Sequence, residues 1–226
     1  CESAITNINW TLTRSLCAEN SPYFETGARL TYSMNSKWTF AALVLNGWQN
    51  IVDNNSNKAG GTQIVFVPSD KITINSSSFV GEGRNLPDGQ VRLRYFHDLY
   101  AIFQLNDNLA ATILLDNGFE EKFDSISEAS WMTYMALLRY KPSENFAICF
   151  RFERFLDPAG VIVSTGTPGN YQVSGLSMNV DFSPAKNVLL RVEGKTFSSV
   201  DDIFPKGKDV LSDKNFLLTT SLAVGF

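Results

Sequence analysis

Hydrophobic and polar residues alternate along the last stretch of the chain, from Asn215 to Phe226. Successive side chains of a strand point to opposite faces, so this stretch predicts a strand with one apolar face and one small, hydroxylated face. An apolar band that ends in aromatic residues and lies opposite a polar face is typical of a membrane β-barrel strand. The apolar face carries Phe216, Leu218, Thr220, Leu222, Val224 and Phe226.

The same alternation begins near Tyr23 and continues to the end, in extended segments joined in turn by short and long connections. Outer-membrane barrels have short periplasmic turns and long extracellular loops, so the regular alternation of short and long connections favours an antiparallel up-and-down barrel. Short turns are predicted at Asn35-Ser36, Pro68–Asp70, Asn106–Asn108, Pro142–Glu144 and Ser183–Lys186 from their turn-forming residues. Long loops are predicted over roughly 49–61, 81–90, 117–130, 155–170 and 198–214.

Charged residues within these segments occupy a single parity, opposite the apolar one. Arg or Lys on the lipid face costs about 2–4 kcal/mol at the bilayer midplane, so we predict that this parity faces a polar lumen. These charges either form a ladder that acts on passing solutes or a salt-bridge network that stiffens the wall. The predicted pore-lining residues are Arg29, Arg92, Arg94, Asp98, Arg139, Arg151, Glu153, Asp181, Arg191, Glu193 and Lys195, with Arg14 on a loop that folds inward.

Aromatic residues on the outward parity gather near the short turns and the terminus. We predict that they form a belt at one membrane interface. The alternative, a sandwich core filled by aromatic side chains, does not explain why they gather at one end. The predicted belt contains Tyr32, Trp38, Phe66, Phe103, Tyr140, Phe146, Phe182 and Phe226.

Three segments fit the alternation less well. Both parities are apolar in 38–45 and in 64–67, so these strands are expected to face an inner plug or a folded-in loop. In 72–78 the outward parity becomes polar after Ile74, which predicts a strand that leaves the membrane early or a different pairing.

Composition is compatible with a barrel. The chain has 226 residues, 44% of them hydrophobic, and a formal net charge of −4, which gives no basis for nucleic-acid binding. No apolar stretch reaches the roughly 18 residues that a transmembrane helix needs. Cys1, Cys17 and Cys149 have neither zinc-site nor disulfide-framework spacing, and Cys1 is either a lipidation site or a cut point.

Enzyme and metal chemistry find little support. The single histidine, His97, has outward parity and is expected at headgroup level, so we predict no catalytic site, no metal and no cofactor. Acidic residues of the predicted loops either bind calcium or bridge lipopolysaccharide through divalent ions, or simply confer solubility. These are Glu120, Glu121, Asp124, Asp201 and Asp202.

Several short motifs resemble the outer-membrane β-barrel porins of double-membraned (Gram-negative type) bacteria. They are 10–15 (WTLTRS), 19–27 (ENSPYFETG), 45–48 (LNGW), 94–98 (RYFHD), 150–153 (FRFE) before Asp157-Pro158, and 219–226 (TTSLAVGF). The resemblance covers most of the chain and implies an outer-membrane barrel with a water-filled or partly plugged lumen. The terminal Phe226 also resembles the signal that the barrel-assembly machinery reads.

About eleven strands are predicted, whereas bacterial barrels normally have an even number and an open edge is forbidden in lipid. We therefore expect the C-terminal part of a larger barrel, of about sixteen strands by analogy with porins. Residues 1–22 are expected to be a loop or the remnant of a preceding strand, and 23–226 the barrel strands.

Three functions follow, from different classes. The first is a porin-like channel for passive diffusion of small hydrophilic solutes, with weak ion selectivity because both signs of charge line the lumen. The second is a non-conducting barrel that acts as a scaffold or surface anchor, and the third is a soluble β-sandwich binding module. Expected partners are outer-membrane lipid, small hydrophilic solutes, the barrel-assembly machinery through Phe226 and a second copy of the chain.

Overall fold

A computed structural model describes residues 2–3, 8–52, 57–82, 92–121 and 128–225. Eleven strands form one sheet in which each strand pairs antiparallel with its neighbour, and two further strands form a separate hairpin. The elements are α1 Leu16–Asn20, β1 Gly27–Ser33, β2 Trp38–Leu45, β3 Ala59–Ser69, β4 Ile72–Glu82, β5 Leu93–Asn106, β6 Leu109–Glu121, β7 Glu128–Ser143, β8 Phe146–Asp157, β9 Tyr171–Ala185, β10 Val188–Ser199, β11 Phe204–Gly207, β12 Val210–Ser212 and β13 Lys214–Val224.

The strand order β1-β2-β3-β4-β5-β6-β7-β8-β9-β10-β13 confirms the predicted all-β, up-and-down fold with about eleven strands. One continuous sheet is not a pair of stacked sheets, so the β-sandwich hypothesis is wrong. The sheet is open, with β1 and β13 as its two edges. Cys1, Phe226 and Asp124 lie outside the described residues.

The predicted short turns lie where consecutive strands meet, but β3, β5, β7 and β9 include part of them, so several strands are longer than predicted. β6 continues to Glu121 and β7 starts at Glu128, because their pairing extends to the register pair Glu121↔Glu128. The hairpin β11–β12 lies within the predicted loop 198–214. β4 continues past Ser78 to Glu82, because it remains paired with β5 along that length.

Burial alternates along the central strands with the predicted parity. In β8 the odd-numbered side chains from Ala147 to Asp157 are buried, whereas Phe150 and Phe152 are exposed. We call the face with the buried charges the inner face and the opposite one the outer face. Exposed leucine, phenylalanine and other large apolar side chains cover the outer face, which fits contact with hydrocarbon rather than water.

Residues 8–23, which we call the inner segment, lie against the inner face and contain α1. Ser15 is the N-cap of this helix, and its Oγ accepts a hydrogen bond from the amide of Ala18 at 3.1 Å. α1 contacts β7 and β8, and its residues Leu16 and Cys17 are buried among inner-face side chains. None of the helical residues that the structure describes forms a helix long and apolar enough to cross a membrane.

Candidate functional site: the inner segment and the lumen wall

Six of the predicted inward charges form one cluster on the inner face, five of them on β8 and β10. Arg151 Nη2 lies 3.0 Å from Glu193 Oε1, and Lys195 Nζ lies 2.9 Å from Glu153 Oε1. A sixth charge joins on β9, where Asp181 Oδ1 accepts a hydrogen bond from Arg191 Nε at 2.8 Å. The cluster members other than Asp181 are between 0% and 5% exposed: Arg151, Glu153, Arg191, Glu193 and Lys195. We call these six residues the inner charge cluster.

The inner charge cluster holds the inner segment against the wall. Glu193 accepts hydrogen bonds from the amide of Thr13 at 2.6 Å and from its hydroxyl at 3.0 Å. Glu153 Oε2 accepts a hydrogen bond from the backbone amide of Leu16 at 2.7 Å, which satisfies a backbone donor in the first turn of α1. Arg151 Nη1 donates to Thr11 Oγ1 and to the Thr13 carbonyl, each at 2.7 Å.

The two basic residues of β10 also reach the inner segment. Arg191 Nη2 donates to the carbonyl of Asn9 at 2.8 Å, and Lys195 Nζ donates to the carbonyl of Arg14 at 3.2 Å. Buried charges are tolerated only when they are paired and hydrogen-bonded, and here the strands and the inner segment supply the partners together. The geometry therefore corresponds to a salt-bridge network, the second of the two roles considered for these charges.

A second cluster, of aromatic side chains, fills the inner face toward the long-loop end. The ring of Trp48, from the β2–β3 connection, lies edge-on to Phe79, Phe96 and Trp131, with ring centroids 5.2, 5.2 and 6.3 Å away. Leu45 and Leu16 pack in the same cluster. The apolar inner parity of β2 therefore meets a folded-in connection and α1, as the sequence of 38–45 indicated.

Arg94 lies beside the aromatic cluster. Its Nε donates to Glu120 Oε2 at 2.8 Å, and its guanidinium carbon is 4.8 Å from the centroid of the Trp48 ring. Arg94 is 1% exposed and Glu120 is 7% exposed. Glu120 was predicted to be a loop residue that could bind calcium. The placement in a loop is wrong, because Glu120 belongs to β6, where its carboxylate pairs with the arginine of the neighbouring strand.

A cavity of about 410 Å³ separates the inner segment from the wall formed by β3–β6. Hydrogen bonds link inner-face side chains along this wall: Arg29 Nη2 donates to Gln63 Oε1 at 2.6 Å, and Gln63 Nε2 donates to Asn75 Oδ1 at 2.8 Å. Asn75 Nδ2 in turn donates to Asp98 Oδ2 at 2.9 Å. The cavity lining includes Arg14, Tyr23, Glu25, Gln63, Asp98 and Asp116.

The four remaining predicted pore-lining residues occupy different settings. Arg29 is exposed on the edge strand β1, and Arg92 precedes β5 and is half-buried. The Arg139 guanidinium lies 5.7 Å from the centroid of the Trp10 ring. Arg14 belongs to the inner segment, with its guanidinium 4.5 Å from the Tyr23 ring centroid and its Nη2 2.6 Å from the Ala18 carbonyl oxygen.

Sequence analysis missed two contributors to this site. Asp116 faces the cavity from β6, a segment in which the sequence predicted no site residue. Trp48 was noted only as part of a motif, and no local signal indicates that a loop tryptophan folds against the inner face. α1 was not predicted either, although Ser15 followed by Leu-Cys-Ala-Glu is compatible with a capped first turn.

The outward aromatic residues lie close to the short turns, as expected from their positions in the chain. Trp38 stacks on Phe66 with 4.1 Å between ring centroids, and Phe146 is the register partner of Phe182. Tyr32, Tyr140 and Phe182 are 65%, 48% and 47% exposed. On the same face nearer the long loops, Tyr95 stacks on Phe119 at 4.5 Å, a pair that we did not predict.

The other candidate chemistry has structural explanations in this geometry. His97 Nδ1 lies 2.9 Å from the Oγ of Ser78, one of the serines that make the outward parity of β4 polar after Ile74. Asp201 Oδ2 accepts the amide of Gly169 at 2.6 Å. Within the described parts of the chain, no three His, Cys, Asp or Glu side chains are grouped so as to hold a metal ion.

Cys17 and Cys149 are free and buried. Cys17 Sγ lies 2.8 Å from Thr133 Oγ1, which anchors α1 to β7. Burial raises the pKa of the Cys17 thiol far above its ordinary value, and the Thr133 hydrogen bond offsets only part of this. Glu25 lies between α1 and β1, and its burial raises the pKa of its carboxyl group to about 7 despite a hydrogen bond from the Gln49 backbone.

Three solved structures are similar in fold. The outer membrane channel DcaP of Acinetobacter baumannii is 13% identical, with 86% of this chain and 61% of that chain covered and a TM-score of 0.60. The anion-selective porin from Comamonas acidovorans is 8% identical, with 87% of this chain and 55% of that chain covered and a TM-score of 0.61. Pseudomonas aeruginosa OccK11 (OpdR) is 12% identical, with 88% of this chain and 59% of that chain covered and a TM-score of 0.57. The chain thus spans less than two thirds of each of these proteins. No curated protein matches the sequence.

The sequence itself matches a family of barrel proteins along its whole length. The family is described as "Putative beta-barrel porin-2, OmpL-like", and the match extends over residues 1–226. The up-and-down sheet, the apolar outer face and the charged inner face agree with that description. The chain belongs to the beta-barrel porin-2 (OmpL-like) family, a family of outer-membrane β-barrel proteins.

Proposed function

We propose that the protein is a porin that lets small hydrophilic solutes diffuse passively through the space between the inner segment and the β3–β6 wall. As a member of a porin family, the chain is a porin-like protein of the bacterial outer membrane. The cavity of about 410 Å³ beside Gln63, Asp98 and Asp116 is the observation that carries the solute path. Polar side chains replace part of a solute's hydration there, while hydrocarbon faces the opposite surface.

The inner charge cluster acts indirectly in this proposal. Its charges are engaged with each other and with the inner segment, so they fix the position of the segment that narrows the lumen. The charged residues nearest the solute are then Arg14 of the inner segment, Glu25 just after it, and Asp98 and Asp116 of the wall. Conductance therefore depends on how firmly residues 8–23 stay docked.

A non-conducting scaffold is the second candidate, and the aromatic cluster favours it. Trp48, Phe79, Phe96 and Trp131 fill part of the inner face with side chains that offer nothing to a hydrophilic solute. If this cluster closes the lumen at the long-loop end, the protein inserts in the membrane without conducting.

Electrical recording in planar lipid bilayers distinguishes the two candidates. We expect stepwise currents from the full-length protein and a smaller step for Gln63→Trp, because the new ring enters the cavity. Thr62→Trp is the matched control, since Thr62 is the exposed neighbour on the opposite face of β3 and its substitution leaves the step unchanged. Insertion without any current contradicts the channel and supports the scaffold.

We further propose three partners. Outer-membrane lipid contacts the apolar outer face and the aromatic belt, which lies where headgroups meet hydrocarbon. The barrel-assembly machinery recognises β13, whose exposed outward side chains include Phe216, Leu218 and Leu222. A homo-oligomer forms through the outer face, and cross-linking in native membranes tests it.

A further inference from the structure

Two carboxylates meet on the cavity wall. Asp98 on β5 and Asp116 on β6 are direct register partners, and both point to the inner face. Register partners on neighbouring strands have Cβ atoms about 4.5–5.5 Å apart, so the two carboxyl groups lie side by side. Like charges placed directly opposite each other on neighbouring strands destabilise a sheet, so this pair requires a compensating partner.

The hydrogen bonds of the wall satisfy only one of the two. Asp98 Oδ2 accepts a hydrogen bond from the side-chain amide of Asn75, the last of the series of hydrogen bonds that starts at Arg29. Asp116 is 2% exposed, and its Oδ1 has no hydrogen-bond partner among the described residues. A buried carboxylate oxygen without a donor costs about 1–3 kcal/mol or more, because its hydration is lost and nothing replaces it.

One basic side chain of the described residues, Arg14, lines the cavity, and its Nε and Nη1 atoms have no hydrogen-bond partner there. The Arg14 guanidinium lies over the Tyr23 ring, donates to the Ala18 carbonyl and lies 3.6 Å from Glu19 Oε1. Lys195 and Arg151 contact their own acidic partners in the inner charge cluster. The described lining carries one basic side chain against four acidic ones: Glu2, Glu25, Asp98 and Asp116. Two neighbouring carboxyl groups tend to share a proton, but even then the net charge that faces the cavity is negative.

We propose that Asp98 and Asp116 form a binding site for small organic cations with an ammonium group, which makes this porin prefer cationic solutes. The proposal rests on the proposed function, because it assumes that solutes reach this cavity. Tyr23 and Phe96 line the same space, and Arg14 already lies over the Tyr23 ring at 4.5 Å, a contact of the kind that an ammonium group makes with an aromatic ring. The described residues bring no third acidic or histidine side chain to the pair, so they lack the ligand number that a metal ion needs. An ammonium group needs fewer fixed ligands, which favours an organic cation.

Charge-selective cysteine labelling tests the site without requiring a current. Ser77 lines the cavity and is the register partner of Asp98, so Ser77→Cys places a thiol beside the two aspartates. The substitution is made in a variant in which the three cysteines of the chain are replaced by serine. The folded protein in detergent is treated with one of two methanethiosulfonate reagents, which carry either a cationic trimethylammonium group or an anionic sulfonate group. The labelling rate of each reagent is measured by mass spectrometry. We expect the cationic reagent to react at least about tenfold faster, since charged clefts concentrate ions of opposite sign.

The double variant Asp98→Asn/Asp116→Asn is expected to lower this rate ratio at least about fivefold by removing the local field. Asp107→Asn, the same change in the exposed turn of the same hairpin, is expected to leave the ratio unaltered. Methylammonium chloride should slow the cationic reagent more than sodium chloride at equal concentration. Heat-dependent mobility in gels confirms that each variant is folded.

The outcomes separate this proposal from the proposed function. An unchanged ratio in the double variant, equal protection by sodium, or labelling by neither reagent overturns the cation site. A high ratio that falls in the double variant, in a protein that gives no current in bilayers, supports the site and contradicts the open channel. In a conducting protein, the double variant should also shift the reversal potential in a methylammonium chloride gradient toward that of an unselective pore.

Discussion

Thr13 and Glu193 are 180 residues apart in the chain and meet on the inner face, where the amide and the hydroxyl of Thr13 donate to the two oxygens of one carboxylate. The same carboxylate lies 3.0 Å from Arg151. One glutamate thus joins the inner segment to the charge network of the wall. The position of that segment therefore depends on side chains from strands at the other end of the sequence.

Glu193→Gln should release the inner segment, because the neutral amide cannot accept from both Thr13 donors and leaves Arg151 less compensated. Removing one partner of a buried ion pair costs about 3–5 kcal/mol, and part of this loss should appear as local opening. Hydrogen exchange of a peptide covering residues 9–20 should become faster. Glu144→Gln, which removes an exposed pair with Lys141, should have no effect on that peptide.

Cys17 should resist alkylation as long as α1 is docked. Its thiol is fully buried, and burial raises its pKa, so little thiolate is available at pH 8. Glu153→Gln weakens the contact with the Leu16 amide and with Lys195 and should increase the rate of iodoacetamide labelling at Cys17 several-fold. Mass spectrometry separates this from labelling at Cys149, and rapid labelling of Cys17 in the unaltered protein would contradict a docked α1.

Gly118→Ala should destabilise the wall. A Cβ at this position would lie 2.2 Å from an atom of the Trp131 ring and 2.6 Å from the Tyr95 carbonyl oxygen, and the backbone cannot yield easily. Overpacking of this kind costs about 1–3 kcal/mol. Urea unfolding in detergent measures the change. Gly60→Ala is the control, because its Cβ would meet only the Val80 side chain, at 3.6 Å.

Phe150→Arg tests the outer face. Phe150 is 52% exposed and lies in the middle part of β8, and arginine at the bilayer midplane costs about 2–4 kcal/mol. We expect a fall of that size in the free energy of unfolding from lipid vesicles. Asn117→Arg, on the same face beside the long-loop end of β6, should cost about 0–1 kcal/mol. Equal effects of the two substitutions would contradict a hydrocarbon environment for Phe150.

Glu25 should make the stability fall as the pH rises. Burial raises the pKa of its carboxyl group from 4.5 to about 7, so the folded state binds a proton that the unfolded state has released. The stabilising effect is complete below about pH 4.5 and is lost as the pH rises through about 7. Urea unfolding between pH 5 and 8 should show this loss, and Glu25→Gln should remove that part of the pH dependence.

Alternation was sufficient to predict the wall. Because strand side chains alternate with a period of two, Phe150, Arg151, Phe152 and Glu153 revealed their faces without any tertiary information. The turns were predictable for a similar reason, since Asn, Asp, Pro and Ser mark them locally. Strand ends were less accurate: Glu120 and Glu121 are polar, but pairing with β7 and the partner Arg94 keep them within β6.

The sequence by itself determined which side chains lie on the inner face and which on the outer face of the central strands, because successive side chains alternate along each strand. Only the tertiary structure decided which inward charges are neutralised and which remain available. Arg151, Glu153 and Glu193 are occupied by an inner segment from the opposite end of the chain, whereas Asp98 and Asp116 meet each other beside a cavity. Such pairing depends on distances between elements remote in sequence, and electrostatic interactions are fixed by those distances rather than by periodicity.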